Sequence, residues 1–520
     1  MKFHEYFESN ADAFPERTAA TFDGKSVVYG ELDALAERHR AALVGHGARP
    51  GDRVVLYAEL SAEAVAAVIG ILKAGCVVVT THPSFDRRKL VHQAREADAA
   101  FLVTDRPDVF EGVFDETPLD AVLPLGGGPE AEPLLRRRPP AVPRSDDAGI
   151  PLEGELAALF YTSGSSSAPK GVAVSHGNMV AAFEAVTSYQ ANTADDVVLT
   201  FTPIGSDFGF HNVMMPLAFG GRVVACRALP EDPRALIDLV DRERVTGIHA
   251  FPPVLARLCG LDDLHRYEVP SLRYVSSSGQ RLPVEHIRRL RDAFPRVLIH
   301  SMYGLTECKR VAYLPPDEID RHPDSVGRPL PGVRAHIVGD DGRPVTEPGA
   351  VGELAVAGDL VMQGYWRRPE LTRRVIRRDV LGESRLLLTG DLFRRDRDGL
   401  LYWVARRDEV FARSVFKVDP HEVEARIREL PGVADCAVVP VADDSAGSVP
   451  VACVVPRDRA GVGEREVIDH CAERLDWHMV PARVVFHRRL PLTASGKTDR
   501  RALARALEES GRDGAKGGAR

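Results

Sequence analysis

A loop rich in glycine and hydroxyl residues separates two apolar segments in the first third of this 520-residue chain. It reads Tyr161-Thr162-Ser163-Gly164-Ser165-Ser166-Ser167-Ala168-Pro169-Lys170-Gly171-Val172. Glycines let backbone N–H groups approach phosphate oxygens closely, hydroxyls add donors, and the lysine adds a compact positive charge. The order differs from a Walker loop, because Pro169-Lys170-Gly171 closes the loop and an apolar, strand-like run follows. The pattern predicts a phosphate-binding loop rather than a flexible linker.

Four further motifs follow this loop along the chain. They read Ser301-Met302-Tyr303-Gly304-Leu305-Thr306-Glu307, Leu388-Thr389-Gly390-Asp391, Arg406-Arg407-Asp408, and Leu490-Pro491-Leu492-Thr493-Ala494-Ser495-Gly496-Lys497. In content and order, the five motifs resemble those of the adenylate-forming superfamily, which includes acyl-CoA synthetases, peptide-synthetase adenylation domains, luciferases and ATP-dependent diazotases. Five ordered matches between residues 161 and 497 make a chance origin negligible. A shared fold does not by itself determine the substrate.

The resemblance implies how these motifs hold the phosphates of ATP. The β- and γ-phosphates would be bound by the loop residues Thr162, Ser163, Gly164, Ser165, Ser166 and Lys170. Glu307 would hold Mg²⁺ between phosphate oxygens, and Thr306 would bind the α-phosphate. The loop departs from the family at Ser166-Ser167, where relatives have Thr-Gly, but Ser166 keeps a hydroxyl.

The remaining motifs are implied to bind the nucleoside and to catalyse the reaction. The Tyr303-Gly304 pair would lie against adenine, Asp391 would accept both ribose hydroxyls, and Arg406 would reach the same sugar. Lys497 would bridge the substrate oxygen and the α-phosphate in the first step, which makes it a catalytic residue with Thr306 and Glu307. A turn carboxylate at Asp391 and a surface lysine at Lys497 are the structural alternatives.

The acyl pocket is inferred by register from the same resemblance. Asp207 lies where amino-acid-activating relatives place an aspartate for the substrate amine, although a helix-capping aspartate explains the residue equally well. The residues that would line the pocket are His211, Ser276, Ser278, Met302 and Arg310. This set is too polar for a long alkyl chain and favours a small acid, aromatic or amino. A buried structural histidine at His211 and a solvated Lys309-Arg310 pair are the alternatives.

The hinge motif departs most from the family pattern. Residues 405–415 lack two glycines and a lysine of the family's Gly-Arg-x-Asp-x-x-Ile-Lys-x-x-Gly, although the hinge residue Asp408 is present. Val415 replaces the glycine that lines the pantetheine tunnel in relatives, where a branched side chain would obstruct a thiol arm. A β-branched residue in a left-handed conformation also costs roughly 1–2 kcal/mol.

This departure leaves three functional hypotheses. The first is an AMP-forming ligase that adenylates a carboxylic acid and passes it to the thiol of a carrier protein or of coenzyme A. The second is an ATP-dependent diazotase, which activates nitrite, couples it to an aromatic amine and needs no pantetheine tunnel. The third is a degenerate nucleotide-binding module, which has no need for Glu307, Asp391 and Lys497 together.

Apolar strand-like runs alternate with helix-period segments through the first 300 residues, which predicts a largely parallel α/β architecture. The predicted helices include Tyr29–Gly45, Ala62–Lys73, Pro233–Arg244 and Pro283–Phe294. The predicted strands are Arg53–Tyr57, Cys76–Thr80, Ala100–Thr104, Arg222–Ala225, Gly247–Phe251, Arg273–Ser276 and Val297–His300.

The sequence pattern changes after these segments. Turn dipeptides and short β-like pieces between Ser325 and Tyr402 predict a β-rich subdomain, and mixed helices and strands follow. We therefore expect an N-terminal ATP- and substrate-binding domain over 1–404, a hinge over 405–409, a small mobile α+β lid over 410–507 and a disordered tail over 508–520.

Composition limits the cellular compartments and the binding partners that we expect for this chain. A net charge of −8, with both signs interspersed, argues against a nucleic-acid surface. The longest apolar run, Ala64 to Thr80, is too short and too interrupted to span a membrane and predicts a buried helix followed by a strand. The N-terminus lacks the apolar core of a signal peptide, and seven scattered cysteines form no disulfide or zinc pattern. These features predict a cytoplasmic enzyme with a small-molecule substrate.

Overall fold

The computed structural model describes residues 1–106, 113–125, 133–135, 150, 152–162, 170–227, 229–279, 282–407, 409–413, 416–443, 447–457, 461–493 and 497–507. The chain divides into two compact units. Unit 1 comprises Met1–His336, Ala355–Leu388 and Asp396–Tyr402, and unit 2 comprises Ile337–Leu354, Thr389–Arg395 and the chain from Trp403 onward. The predicted domain limits stay predictions, and the predicted hinge residue Asp408 and tail 508–520 lie outside the described residues.

The strands are short and mostly buried. They are β1 (Thr18–Phe22), β2 (Lys25–Val28), β3 (Arg53–Tyr57), β4 (Val77–Thr80), β5 (Phe101–Thr104), β6 (Ala121–Pro124), β7 (Leu134–Leu135), β8 (Leu156–Thr162), β9 (Lys170–Ser175), β10 (Val197–Thr200), β11 (Arg222–Ala225), β12 (Gly247–Ala250), β13 (Tyr274–Ser277), β14 (Leu298–Tyr303), β15 (Ala312–Tyr313), β16 (Arg328–Pro329), β17 (Arg334–Val338), β18 (Val351–Ala357), β19 (Gly364–Tyr365), β20 (Ile376–Val380), β21 (Glu383–Arg395), β22 (Leu401–Arg406), β23 (Phe411–Arg413), β24 (Phe416–Val418), β25 (Val433–Asp443), β26 (Gly447–Pro456) and β27 (Arg483–Phe486).

Helices separate most of the strands. They are α1 (Phe3–Ala13), α2 (Tyr29–Gly45), α3 (Ala62–Lys73), α4 (Arg87–Glu96), α5 (Val113–Glu116), α6 (His176–Gln190), α7 (Asp207–Ala218), α8 (Pro233–Arg242), α9 (Pro252–Cys259), α10 (Val284–Ala293), α11 (Pro369–Val375), α12 (Pro420–Ile427) and α13 (Glu464–Ala472), and residues 500–507 are also helical. None of the helices in the described ranges combines the length and the apolar character needed to cross a membrane.

Two large sheets carry most of the α/β part. One has nine strands in the order β16-β15-β14-β13-β12-β10-β11-β1-β2, and the other has eight in the order β19-β9-β8-β4-β3-β5-β6-β7. Within each sheet one run of strands is parallel: β11-β10-β12-β13-β14 in the first sheet and β8-β4-β3-β5-β6 in the second. The predicted parallel α/β architecture is therefore confirmed.

The run from Ala64 to Thr80 shows how the local sequence produces this layering. The Ser61 side chain caps α3 by accepting a hydrogen bond from the backbone N–H of Ala64, and the helix is buried along most of its length. Gly70 allows α3 to pack closely on α2, because a Cβ there would lie 2.5 Å from the carbonyl oxygen of Ala36. Strand β4 follows and is buried throughout, as expected for a central parallel strand. The predicted buried helix and strand are confirmed.

The later part of the chain is richer in antiparallel sheet. A five-stranded sheet has the order β17-β18-β21-β20, with β22 paired to β21, and the helix α11 interrupts this predicted β-rich region. In unit 2, β25, β26 and β27 form a three-stranded sheet beside α12 and α13. Its core includes Val423, Ile427, Val438 and Val467. The predicted α+β character of the C-terminal region is confirmed.

Candidate functional site

The two ends of the predicted phosphate loop are held opposite each other by antiparallel strands. Thr162 ends β8 and is the register partner of Lys170, which begins β9. The apolar strand predicted after the loop is therefore present as β9. Ser163, Gly164, Ser165 and Ser166 lie outside the described residues, so their predicted contacts to phosphate stay predictions.

A tyrosine that sequence analysis missed connects two of the predicted ATP-binding residues. The hydroxyl of Tyr365 donates a hydrogen bond of 2.9 Å to Oε1 of Glu307, and Nζ of Lys170 lies 5.2 Å from the centroid of the Tyr365 ring. Strand β19 positions this side chain, since Tyr365 pairs with Val172 on β9. A lysine and a carboxylate that share one phenol are suited to hold a phosphate group together with a divalent cation. No sequence spacing links Tyr365 to the loop.

The Glu307 carboxylate fits a magnesium ion only if other ligands come from the nucleotide. Among the described residues, no group of three or more histidine, cysteine, aspartate or glutamate side chains could hold a metal ion. Mg²⁺ characteristically keeps several waters and binds through one or two carboxylates plus substrate phosphates. When bound, it would neutralise charge on the phosphate oxygens. A single carboxylate beside Lys170 is consistent with that mode.

A tight turn after β14 carries Thr306 and Glu307. Tyr303 ends β14 and pairs with Ala312 on β15, so the chain reverses within a few residues. Gly304 is required there, because a Cβ would lie 2.0 Å from the carbonyl oxygen of Lys309. The turn projects from the carboxyl end of a parallel strand, which is where open α/β sheets bind ligands.

The pocket predicted for the acyl group contains an unexpected ion pair. Nζ of Lys309 lies 2.6 Å from Oδ1 of Asp207, and Nδ1 of His211 lies 3.2 Å from the same oxygen. Asp207 is the first residue of α7, but the cap is Ser206, whose hydroxyl accepts a hydrogen bond from Gly209. The helix-capping alternative for Asp207 is therefore wrong. The carboxylate expected to bind a substrate amine already has an ammonium partner within the chain.

The solvated alternative for Lys309 and Arg310 is also wrong. Lys309 is 2% exposed and Arg310 is 8% exposed, and each packs on an aromatic ring. Nζ of Lys309 lies 3.9 Å from the centroid of Phe160, and the Arg310 guanidinium lies 4.9 Å from that of Phe208. The backbone of Lys309 has a φ of 55°, which turns this residue out of the extended conformation.

Burial and the neighbouring charges shift the pKa values of these groups in opposite directions. Burial alone would raise the pKa of Asp207, but the Lys309 ammonium and His211 hold that pKa well below its usual range. Burial lowers the pKa of Lys309, although Asp207 opposes the effect. Burial likewise lowers the pKa of His211, so its imidazole is neutral near pH 7. The structure thus contains a closed Asp207–Lys309 pair with a neutral histidine beside it.

Other predicted pocket residues meet at the ends of β13 and β14. Ser276 is fully buried and its hydroxyl accepts a hydrogen bond of 3.2 Å from the side chain of Gln190. The sulfur of Met302 contacts the hydroxyl of Tyr189 and, at 3.6 Å, that of Ser276. Ser278 is buried directly after β13. Sequence analysis missed Tyr189 and Gln190, because the end of a helix in an unremarkable segment carries no motif.

The predicted ribose-binding group lies in unit 2. Asp391 is 3% exposed within β21, so the alternative of a turn carboxylate is wrong. A nitrogen of the Arg406 guanidinium donates to Oδ1 of Asp391 at 3.1 Å, and the Trp403 indole donates to the same oxygen at 3.3 Å. The structure therefore brings the predicted pair together and adds Trp403, which sequence analysis missed.

Lys497 lies on the surface of unit 2, beside Thr493. The N–H of Thr493 donates to the carbonyl oxygen of Lys497 at 2.7 Å, and the Thr493 hydroxyl accepts a bond from the Lys497 N–H at 3.2 Å. Leu492 and Thr498 form an isolated β-bridge next to these two residues. The side chain is exposed, so its predicted catalytic role stays a prediction. Val415 lies outside the described residues.

A buried charge cluster supports the region around Lys497. Glu424 is 1% exposed and is bound by Arg500, which lies three residues after Lys497, and by His421. Nε2 of His421 lies 2.6 Å from Oε2 of Glu409, the last residue of the predicted hinge. Burial alone would lower the pKa of His421, but the two glutamates raise it to about 9. His421 is therefore protonated at neutral pH.

The stability of unit 2 is expected to fall between about pH 6.5 and pH 9. A histidine whose pKa rises from 6.5 to about 9 on folding contributes fully below pH 6.5, and the contribution is lost as pH rises through 9. The difference corresponds to as much as about 3 kcal/mol. The free energy of unfolding in urea, determined at several pH values in this range from hydrogen exchange in α12, measures this difference. His421→Gln should remove the pH dependence, whereas His92→Gln on the exposed side of α4 should keep it.

Comparisons with known proteins agree with this geometry. A family model described as AMP-binding enzyme matches residues 7–366, and a model described as AMP-binding enzyme C-terminal domain matches residues 422–497. Syringomycin synthase SyrB1 of Pseudomonas syringae pv. syringae is 32% identical over 96% of this chain and 81% of its own length. The L-proline--[L-prolyl-carrier protein] ligase of Streptomyces coelicolor is 31% identical over 92% of this chain and 91% of its own.

Two solved structures are similar in fold to this chain over nearly its whole length. The amide bond synthetase McbA from Marinactinospora thermotolerans has a TM-score of 0.84 at 28% identity, covering 98% of this chain and 100% of its own. ATP-bound MatB from Rhodopseudomonas palustris has a TM-score of 0.83 at 26% identity, covering 98% of this chain and 99% of its own.

Proposed function

Since this chain belongs to the AMP-binding enzyme family of ATP-dependent, AMP-forming ligases, we propose that it adenylates a small, polar carboxylic acid that carries no α-amine. The observation that carries this choice of substrate is the Asp207–Lys309 pair. A substrate amine would have to displace a buried ammonium already 2.6 Å from the carboxylate. Of the acids left open by the sequence, this pair favours the aromatic over the amino acids.

The first reaction step joins an oxygen of the acid to the α-phosphorus of ATP and expels pyrophosphate. Lys170, together with Mg²⁺ held by Glu307, is proposed to neutralise negative charge on the leaving phosphates, and the contacts of both side chains with Tyr365 support this role. Asp391 is proposed to hold the ribose, and its two donors, Arg406 and Trp403, fix the orientation of its carboxylate. Lys497 is proposed to neutralise charge that develops between the acid oxygen and the α-phosphate.

The acceptor in the second step is proposed to be a thiol of a carrier protein or of coenzyme A. Similarity to a ligase whose name specifies a prolyl-carrier protein supports a carrier. Val415 opposes it, because a branched residue stands where relatives have the glycine of the pantetheine tunnel. Similarity to an amide bond synthetase supports an amine as the alternative acceptor.

A second candidate function is the adenylation of nitrite followed by capture with an aromatic amine. The observation that favours it is Arg310, a buried cation without a carboxylate partner among the described residues, which could hold a small anion. This function requires no pantetheine tunnel, so Val415 would not impede it.

Pyrophosphate release with Mg-ATP tests these candidates. The panel contains aryl acids, amino acids, short fatty acids, and nitrite with and without an aromatic amine. Release that depends on a non-amino carboxylic acid supports the proposed function, and release that requires nitrite supports the second candidate. Measurable ATP binding without release for any member of the panel contradicts both.

Val415→Gly is expected to leave adenylation unchanged and to raise the rate of thioester formation. The variant removes a branched side chain that relatives lack and should thereby open the path of a thiol arm. Acid-dependent pyrophosphate release measures the first step, and transfer to coenzyme A or to a carrier protein measures the second. A loss of adenylation in this variant would show that Val415 serves the first step.

A further inference from the structure

Arg310 is a buried, charged residue to which the proposed reaction with ATP assigns no role. Its side chain is 8% exposed, and its Nε has no hydrogen-bond partner among the described residues. No carboxylate of the described residues forms an ion pair with Arg310, whereas the neighbouring Lys309 pairs with Asp207. The Arg310 guanidinium therefore lacks the anion that a buried cation ordinarily requires.

The contact with Phe208 does not replace such an anion. The Arg310 guanidinium lies 4.9 Å from the ring centroid, at a distance where the attraction between a cation and an aromatic ring is modest. Removing an ion from water costs more than this attraction gains, even after the protein relaxes. The stacking therefore offsets only part of the cost of burying Arg310.

Asp207 does not supply the missing charge either. It is the one carboxylate among the groups that act electrostatically on Arg310, and Lys309 and His211 already contact it. Lys309 and Arg310 thus carry two positive charges, and Asp207 is the one carboxylate that acts on both. Burial lowers the pKa of His249 to about 3, and the positive charge of Arg310 contributes to this shift. That histidine is neutral, so it adds no charge to the group.

Several polar atoms in the same region also lack partners among the described residues. They are Nε2 of His211, Oε1 of Gln190 and both ring nitrogens of His300. Gln190 and Ser276 are hydrogen-bonded, and the rings of His300 and Tyr189 lie 5.5 Å apart. Buried polar atoms in native proteins are nearly always hydrogen-bonded, so an unpartnered group of this kind indicates a polar ligand.

We propose that Arg310 binds a second carboxylate of the substrate, distinct from the one that is adenylated, so that the substrate is a small dicarboxylic acid. The planar guanidinium presents paired donors that match the two oxygens of a carboxylate. A ring N–H of His300 supplies a further hydrogen bond to the same ligand. This inference rests on the proposed function, because it assigns the substrate of the same site.

Matched pairs of acids test the proposal on the full-length protein. Succinate is compared with succinamate, and phthalate with phthalamate, because each monoamide replaces one carboxylate by a neutral group of similar shape. Binding is measured by calorimetry and by thermal shift, and adenylation by pyrophosphate release. In the wild type, at least one dicarboxylic acid is expected to bind about 100-fold more tightly than its monoamide. Arg310→Met is expected to remove that preference.

Two controls separate the ligand effect from a general loss of folding or charge. Arg234→Met removes an exposed arginine of the same unit and should keep the preference. ATP binding by Arg310→Met reports whether the variant is folded. If that variant does not fold, the comparison of each acid with its monoamide in the wild type still decides the proposal.

Three results would overturn the proposal. They are equal binding of every dicarboxylic acid and its monoamide to the wild type, an unchanged preference in folded Arg310→Met, and pyrophosphate release that requires nitrite. Failure of the proposed function gives a different pattern, in which dicarboxylic acids bind through Arg310 but no acid causes pyrophosphate release.

Discussion

Replacing Lys497 with alanine is expected to lower the rate of acid-dependent pyrophosphate release by about 100- to 1000-fold. The proposed role of its ammonium is to neutralise charge that develops only as the acid oxygen attacks the α-phosphate. An interaction made only in the transition state changes kcat and leaves ground-state binding intact. ATP affinity, measured by calorimetry, should therefore stay close to that of the wild type.

The matched control for this variant is Arg501→Ala. Arg501 is exposed and lies four residues after Lys497, so its loss changes the local charge equally without removing the predicted catalytic group. It should retain the wild-type rate. Unchanged pyrophosphate release from Lys497→Ala would refute the proposed role and would favour the alternative of a surface lysine.

Replacing Lys309 with methionine is expected to destabilise the protein by about 3–5 kcal/mol. Methionine fills a similar volume, but the change leaves the carboxylate of Asp207 buried without the ammonium that lies 2.6 Å away. The free energy of unfolding in urea, followed by fluorescence, measures the loss. A change of this size is a large fraction of the stability of an ordinary domain.

A double variant tests whether the unpaired charge is the cause. Lys309→Met combined with Asp207→Asn removes both charges, so the combined loss should be clearly smaller than that of Lys309→Met alone. A double variant that loses as much as the two single variants together would show that Lys309 stabilises the fold by packing on Phe160 instead.

Regular elements could be predicted closely from the sequence because their signals are local. The predicted limits of α2 and α3 agree with the structure at both ends, and those of β3 and β11 agree as well. The helix α3 combines a capping serine with an almost wholly apolar body, and its end is marked by Gly75 at a φ of 72°. Such signals need no knowledge of distant residues.

The contacts of the candidate site could be predicted only in part. Motif order indicated Asp391 with Arg406, which the structure joins, but gave no sign of Trp403 or Tyr365. The burial of Lys309 could not be decided from the sequence, because a lysine beside an arginine also resembles a solvated pair. Its burial depends on a turn at Gly304 and on a carboxylate 102 residues earlier in the chain. A pairing at that separation leaves no periodic trace in the sequence.

The residues assigned here to substrate recognition occupy one uninterrupted stretch of the chain. The stretch begins at Tyr189 and ends at Arg310, and it contains the Asp207–Lys309 pair. Lys170, Asp391 and Lys497 all lie outside it. Genetic recombination with one crossover before Tyr189 and one after Arg310 would therefore exchange the complete recognition set in a single event. Acid preference can in this way be inherited as a cassette that also carries Thr306 and Glu307, but separately from Lys170, Asp391 and Lys497.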